Sequence, residues 1–369
     1  MRKEFSIYLD LVRFVASFAV VLYHACDHTG EATRPAIGQY GHEAVIVFFV
    51  LSGYVITFVT DTRGGGAREY WISRLARIYS VAIPAILLTW LVDRLGMAMA
   101  PAVYEGKAPH DHALVRIGSS FFFLNEVWIV SIMLFSNAAY WSLCYEVWYY
   151  ALFAAMVFSH GRRRALYISL ICLLLGPKVL LLAPLWFLGA ALHRWKYLQR
   201  LTPARGWLLI LASSVGLWAF RHYGLTREFS AWLVGVIGPY WNKQLTFSMY
   251  FGADYLLGLL IFAHFAGVRA VCHQFTLIAK WFETPIRFLA NGTFSLYLFH
   301  QGLLPFFTAL LVRDRDSDSS YWMIVAAATC TAMALSFVTE RRKDLARRIV
   351  TAIWDRGVGV VSHVRGSAA

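Results

Sequence analysis

Long apolar runs recur along the whole chain, and short polar or basic segments separate them. A run of about 20 apolar residues can cross a bilayer as a helix. The pattern therefore predicts an all-α, polytopic membrane protein with about ten transmembrane helices. The predicted spans are residues 9–27, 43–60, 78–95 and 141–158, a two-span hairpin broken at residues 176–178, and residues 207–220, 256–265, 292–312 and 321–338.

Two further apolar stretches do not fit a simple span. Residues 121–135 carry Asn125 and Glu126 between aromatic residues, so we expect this stretch to be interfacial or re-entrant. Residues 269–287 interleave charged and apolar positions, which favours a segment lying along the inner membrane surface. We divide the chain into a transmembrane domain at residues 1–345 and a basic cytoplasmic tail at residues 346–369.

Composition supports the membrane interpretation and excludes other classes. The chain is 59% hydrophobic and 15% charged, outside the range of soluble domains. Its net charge of +13 comes from basic clusters between the apolar runs, which indicates loops on the inner side and not nucleic-acid binding. Both termini are predicted to be cytoplasmic, and the first span is expected to be a retained helix and not a cleaved signal. The five cysteines occur singly, so we predict no metal site.

The first predicted span carries two ionisable residues, Arg13 and His24. Such residues are costly at membrane depth and therefore indicate function. Eleven positions at about 1.5 Å per residue place them on one helix face, roughly 16 Å apart. Imidazole exchanges a proton near neutral pH, so His24 is a candidate general base for a hydroxyl arriving from outside, or a transient nucleophile. The alternatives are a snorkelling Arg13 paired with Asp10, and a hydrogen-bonded core histidine.

Five more residues are candidate site residues. Arg74 and Arg77 are three residues apart, which predicts two guanidinium groups on one face at a helix start, a suitable phosphate site. The alternative is that they are ordinary inner-side basic residues. Glu146 lies one turn inside a span, at the predicted outer level of His24, and is expected to orient the imidazole or hold a sugar hydroxyl. It could also be an interfacial acid. Tyr297 and His300, in a later span, form either a site or a polar contact between helices.

Several motifs occur in an order that resembles the acyltransferase 3 family of integral membrane acyltransferases. They are Arg13 and His24 in the first span, FFVLSGYVIT, the RLARIY stretch, WSLCYEVWYY, FSLYLFHQ and the closing Glu340. The resemblance covers roughly residues 5–345. One departure precedes FFVLSG, where many members have Gly-Val-Asp-Leu and this chain has AVIV. That change removes an acid near His24, so the orienting partner is Glu43, Asp27 or Glu146.

The resemblance implies transfer of an acyl group, commonly acetyl, from cytoplasmic acyl-CoA to a hydroxyl of a surface or exported carbohydrate or glycolipid. It assigns catalytic roles to His24, Arg13 and Glu146, and acyl-CoA binding to Arg13, Arg74 and Arg77. Acyl-CoA is then a donor substrate and not a bound cofactor. Supporting roles are expected for Asp10, Glu43, Ser52, Tyr297 and His300.

The expected setting is the bacterial inner membrane, with lipid around the protein and polysaccharide synthesis or export machinery as a partner. We expect no additional soluble domain after the last span. Acylation of a secondary metabolite, such as a glycosylated antibiotic, is an alternative within the same class. A different class is a proton-coupled transporter of a carbohydrate precursor, in which His24, Glu146 and His300 relay protons. A membrane scaffold is a third, weaker alternative.

Overall fold

The computed structural model describes residues 1–29, 35–312 and 317–366, with side chains described as far as residue 356. Helices dominate these ranges, and no β-strand occurs within them. The helices are α1 (Lys3–Ala25), α2 (Gly41–Arg63), α3 (Ala67–Met99), α4 (Pro101–Tyr104), α5 (Ala113–Phe121), α6 (Trp141–Phe158), α7 (Gly161–Arg194), α8 (Pro203–His222), α9 (Leu225–Gln244), α10 (Phe251–Val271), α11 (Thr276–Ala290), α12 (Thr293–Leu311), α13 (Asp318–Ser336) and α14 (Lys343–Gly366).

Eight helical segments of the described chain are long and apolar enough to cross a membrane. This finding confirms the prediction of an all-α, polytopic membrane protein. The eight do not include α6, whose first half is rich in polar and aromatic residues, and they count α7 once although it bends. Adding α6 and counting the two arms of α7 separately gives the ten predicted passes.

The bend of α7 is a reversal of the chain at Gly176, where φ is 74°. The start of α7 follows α6, whose last residue, Phe158, contacts Tyr70 at the start of α3. The last residue of α7, Arg194, forms an ion pair of 2.9 Å with Asp61 near the end of α2. Because the end of α2 and the start of α3 adjoin, both ends of α7 lie at the same end of the bundle. We call this end, which also holds the start of α1, the N-terminal end, and the opposite end the far end.

Close packing of α2 against α7 depends on two glycines. A Cβ atom at Gly53 would lie 1.8 Å from the carbonyl oxygen of Trp186, and one at Gly189 would lie 1.9 Å from that of Val50. Small residues let membrane helices approach backbone to backbone in this way. The contact brings the Trp186 indole against Ser52, the residue before Gly53.

The stretch at residues 121–135, expected to be interfacial or re-entrant, is irregular after α5 ends at Phe121 and packs into the far end of the bundle. Its charge is compensated, because Glu126 pairs with Lys178 of α7 at 2.7 Å and the two side chains are 2% and 1% exposed. Just beyond it, Asn137 donates from Nδ2 to the carbonyl oxygen of Leu298 at 2.7 Å. The stretch is buried only in part, because Asn125 and Glu126 are buried whereas Phe122, Trp128 and Ile129 are exposed.

Helix α3 begins eleven residues before the predicted span at residue 78, at Ala67. Arg74 and Arg77 therefore lie in the second and third turns, and the prediction that they mark a helix start is wrong. The apolar run that defines a span omits the amphipathic turns before it, which form helix equally well. The macrodipole acts mainly within the first turn of a helix, so it adds little at Arg77.

Two amphipathic helices lie at the N-terminal end. Helix α11 falls within the segment expected on the membrane surface and exposes a row of large apolar side chains, including Trp281 at 82%. It is joined to α1 by an ion pair of 2.7 Å between Arg287 and Asp10. Helix α14, in the region assigned to the basic tail, packs along α3 through pairs that join Arg68 to Asp355 and Arg347 to Glu69. The division of the chain at residue 345 stays a prediction.

We expect Gly53→Val to destabilise the bundle, because the added side chain would overlap the Trp186 backbone. Overpacking of this kind costs about 1–3 kcal/mol. The measurement is thermal unfolding in detergent, followed by tryptophan fluorescence. Gly235→Val in α9 is the matched control, since a Cβ atom there meets nothing within 4 Å. An equal melting temperature for both variants would contradict the proposed role of Gly53.

Candidate active site

A cavity lies between α1, α2, α3, α6 and α12. Aliphatic and phenylalanine side chains form much of its wall, and the polar lining residues are Arg13, Ser52, Arg77, Ser142, Glu146, Tyr150, Thr293 and Tyr297. The structure therefore brings five of the predicted site residues, Arg13, Ser52, Arg77, Glu146 and Tyr297, into one space. We call this space the inner cavity.

The Arg13 side chain enters the inner cavity from α1. Its guanidinium lies 3.6 Å from Asp10, the predicted partner one turn earlier. Asp10 is shared, because Arg287 of α11 approaches it more closely, at 2.7 Å. A carboxylate divided between two guanidinium groups neutralises Arg13 only in part, which leaves positive charge facing the cavity.

A second, polar cavity opens beside the first at the N-terminal end. We call it the vestibule; its lining residues are Arg13, Arg77, Ala290, Asn291, Glu340, Arg341 and Lys343. Four cationic side chains face one carboxylate there, and Glu340 is engaged with the amide of Ser295 at 3.1 Å. Arg13 and Arg77 line both cavities, so the two spaces adjoin at these residues. The arrangement suits an anion held in the vestibule by a molecule that continues into the inner cavity.

Glu146 accepts two hydrogen bonds on its Oε1 atom. The donors are the hydroxyls of Ser52, from α2, and of Tyr150, one turn along α6 at 2.6 Å. The Ser52 oxygen in turn accepts a hydrogen bond of 3.2 Å from the indole nitrogen of Trp186. Three helices thus meet at one carboxylate, which is half-buried, has no cation in contact among the described residues and is stabilised by hydroxyl donors.

His24 lies at the far end of α1 and is not among the lining residues of the inner cavity in the described chain. Its Nδ1 atom is 3.4 Å from the Asp27 carboxylate and 3.4 Å from the amide nitrogen of Gln301. Its ring lies 5.4 Å from that of His300. Of the three proposed orienting partners, Asp27 is the one in contact. Glu43 instead forms an ion pair of 3.0 Å with Arg221.

Asp27 is suited to hold the His24 tautomer. Burial alone would raise the pKa of Asp27, but the hydrogen bond with His24 and the nearby positive charges of His28 and Lys107 bring it below its usual value. An ionised Asp27 accepts a hydrogen bond from Nδ1–H, which leaves the Nε2 lone pair for a substrate hydroxyl. The Gln301 amide oxygen accepts from the backbone nitrogen of Ala139, so the Gln301 nitrogen is a donor; with the proton on Nδ1, it packs against the His24 ring at 3.4 Å without a hydrogen bond.

His300 and Tyr297 lie between His24 and the inner cavity. The His300 ring is fully buried and donates from Nδ1 to the carbonyl oxygen of Tyr297 at 2.7 Å; its Nε2 atom has no hydrogen-bond partner among the described residues. The Tyr297 hydroxyl bonds Ser142 at 2.7 Å, and its ring is 5.3 Å from Phe48. The Tyr297 and Phe48 rings form the boundary of the inner cavity on the side of His24.

Comparison with known proteins identifies the family. The acyltransferase 3 family model, which describes an acyltransferase domain, matches residues 6–341. The chain belongs to the acyltransferase 3 family. This membership confirms the resemblance seen in the sequence motifs and favours an enzyme over a transporter.

A curated relative points in the same direction. The chain is 23% identical over 370 residues to a protein of Bacillus subtilis (strain 168) named "Putative peptidoglycan O-acetyltransferase YrhL". The alignment covers 89% of this chain and 53% of the relative, so the chain spans about half the length of the curated relative that it matches. No solved structure matches the chain.

Two predicted placements need correction. Glu146 is not at the level of His24 but lies in the cavity of Arg13, because residues 137–140 already run inside the bundle and α6 therefore begins deeper than the apolar run suggests. Arg74 and Arg77 do not share one site. Arg74 is 5% exposed, lies 5.7 Å from the Tyr70 ring and lines neither cavity in the described part of the chain.

Three groups of residues around the site of this acyltransferase 3 member were not predicted from the sequence. The vestibule residues Arg341 and Lys343 belong to a basic cluster that was interpreted only as a marker of the inner side. Gln301 directly follows His300 and so was detectable by position. Trp186 gave no signal, because its role depends on the glycine contact between α2 and α7.

We expect Arg77→Ala to weaken binding of a small polyphosphate such as inorganic pyrophosphate by about tenfold or more, since a charge-assisted hydrogen bond contributes about 1.5–3 kcal/mol. Arg74→Ala is the matched control from the same helix. It should leave the affinity unchanged and lower the melting temperature, because it removes buried packing against Tyr70. Thermal shift titration in detergent measures both effects. Equal losses of affinity in both variants would restore the paired-arginine prediction.

Proposed function

We propose that this protein is a membrane-bound O-acyltransferase that moves an acyl group, commonly acetyl, from acyl-CoA to a hydroxyl of a cell-surface or exported carbohydrate. The observation that carries the proposal is the junction of two cavities at Arg13 and Arg77. Acyl-CoA has the matching form, with phosphates at one end and an uncharged thioester at the other. Its phosphates would occupy the cationic vestibule, and its thioester would enter the inner cavity.

The vestibule would face the cytoplasm. Basic clusters at residues 63–77, 162–164, 194–205 and 341–348 follow the positive-inside pattern. Ion pairs place several of these clusters at the N-terminal end, where Arg194 contacts Asp61 and Arg347 contacts Glu69. Donor would then enter from the cytoplasm and acceptor from the far side, across a bacterial inner membrane.

His24 would act as the general base on the acceptor. In the overall reaction the acceptor hydroxyl gives its proton to His24 Nε2, and its oxygen forms the new bond to the acyl carbon. The bond from that carbon to sulfur breaks, and the released thiolate takes up a proton to leave as CoA. Asp27 would position the imidazole, and Arg13 would stabilise negative charge that develops on the thioester oxygen.

A carbohydrate acceptor is supported by the relative that is named as a peptidoglycan O-acetyltransferase. Exposed aromatic side chains on α9, Trp232, Tyr240 and Trp241, are available for sugar stacking or for the membrane interface. The decisive experiment is mass spectrometry of cell glycans and secreted metabolites, with and without the protein. We expect one acyl group to be added to a glycan. Acylation of a small metabolite in its place would overturn the carbohydrate assignment and keep the enzyme.

In the first mutational test, His24→Ala is expected to lower acceptor O-acylation by about 10²–10⁴-fold, the usual contribution of a general base. The protein should insert and bind CoA normally. Purified variants are assayed for acetyl-CoA consumption with acceptor present. Cys330→Ala in α13, which replaces an exposed cysteine, is the control for handling. Normal O-acylation by a well-expressed His24→Ala protein would remove His24 from the mechanism.

In the second test, Arg13→Ala is expected to abolish transfer, whereas Arg13→Lys should retain part of it because the positive charge remains. The same assay reports both variants. Equal activity of Arg13→Ala and the unaltered protein would show that the charge entering from α1 serves only to anchor the helix.

A further inference from the structure

We propose that Ser52 is a catalytic nucleophile that carries the acyl group between donor and acceptor. The proposal rests on the function proposed above and adds an acyl-enzyme to it. A nucleophilic hydroxyl needs an adjacent base, a group that orients the base, and a positive charge near the developing oxyanion. The inner cavity supplies each of these around Ser52.

The base is Glu146, to which the Ser52 hydroxyl donates its proton in a hydrogen bond. The orienting group is Tyr150, whose hydroxyl donates to the same carboxylate oxygen at 2.6 Å. The indole nitrogen of Trp186 donates to the Ser52 oxygen at 3.2 Å and so fixes the hydroxyl hydrogen on the side of Glu146. The Ser52 oxygen therefore keeps a lone pair for a carbonyl carbon in the cavity.

Positive charge is available in the same space, because Arg13 and Arg77 both line the inner cavity with Ser52. A thioester whose phosphates lie in the vestibule must pass these two residues before it reaches Ser52. Its carbonyl oxygen can then face a guanidinium while its carbon faces the serine oxygen.

Another hydroxyl in the cavity lacks this environment. Ser142 bonds the Tyr297 hydroxyl at 2.7 Å and donates to the carbonyl oxygen of Ala139 at 3.2 Å, with no carboxylate in contact in the described chain. Ser142 is therefore a matched control for removal of a hydroxyl from the same cavity. Tyr150 shares Glu146 with Ser52, so it is the competing nucleophile that an experiment has to separate.

The chemical steps balance without a further reactant. The Ser52 oxygen attacks the thioester carbon, and its proton passes to Glu146. The carbon–sulfur bond breaks, and the thiolate takes the proton from Glu146 and leaves as CoA. The acceptor hydroxyl, deprotonated by His24, then attacks the Ser52 ester. Its oxygen takes the acyl group, and the serine oxygen regains a proton from His24 by way of Glu146 or water.

An acyl-serine also fits the position of the Tyr297 and Phe48 rings, which bound the inner cavity on the side of His24. Phe48 is one helical turn from Ser52 on α2, and its contact with Tyr297 separates the inner cavity from His24. With the acyl group held on Ser52, CoA can leave toward the vestibule before the acceptor arrives from the far end. Donor and acceptor then never need to occupy the cavity together.

The test uses the full-length protein in detergent with acetyl-CoA labelled in the acetyl group and no acceptor. We expect one equivalent of label on Ser52 in the unaltered protein and in His24→Ala, with release of one equivalent of CoA. Ser52→Ala should show no label, and Ser142→Ala should keep the label on Ser52. Tyr150→Phe should form the same label on Ser52 more slowly, because Glu146 loses its orienting group. Peptide mass spectrometry locates the label. Ser52→Cys should yield a thioester that hydroxylamine removes at neutral pH.

The outcomes separate this proposal from the function on which it rests. Label on any other residue, no label in a His24→Ala protein that binds acetyl-CoA, or normal transfer by Ser52→Ala would overturn the nucleophile assignment while the acyltransferase function stands. Failure of the unaltered protein to bind or consume acetyl-CoA, with or without acceptor, would overturn the proposed donor and with it the acyl-enzyme.

Discussion

The structure depends on how the bundle accommodates a guanidinium inside a membrane helix. Arg13 lies ten residues into α1 and shares Asp10 with Arg287, so its charge is only partly compensated. An ionisable group at this depth is expensive unless it faces protein or a polar cavity. Five helices surround that cavity, and hydroxyl donors around Glu146 complete its polar lining. The same arrangement leaves the partly compensated charge of Arg13 facing the inner cavity, where it would attract an anionic substrate.

Much of the architecture was predictable because it follows from the alternation of apolar runs with basic loops. The reversal at Gly176, the lack of a straight span at residues 121–135 and the exposed, amphipathic character of α11 were all expected from local sequence. The contact of Arg13 with Asp10 was also expected, since helix geometry alone sets it. These features are set by residues that are close together in the chain, so a single sequence is enough to predict them.

Depth and partner choice were less predictable, because they depend on contacts between helices that are distant in sequence. Glu146 was assigned to the level of His24 from the length of an apolar run, but the chain enters the bundle before Trp141 and carries the carboxylate deeper. Arg74 and Arg77 look equivalent in sequence, and only the neighbouring helices direct one toward Tyr70 and the other toward the cavities. The pair of Glu126 and Lys178 joins residues 52 positions apart, and no local pattern indicates it.

The contact between the Tyr297 and Phe48 rings has a bioenergetic consequence. A bundle with polar approaches from both faces would leak protons if those approaches joined, and the cell would lose the gradient that drives its other membrane work. The apolar faces of the Tyr297 and Phe48 rings, 5.3 Å apart, restrict water between the two approaches, so a proton would cross there only together with an acceptor that displaces the rings. In the proposed reaction the transferred acyl group is uncharged, so its passage would be indifferent to the membrane potential. The protein would then transfer acyl groups without acting as an ion leak.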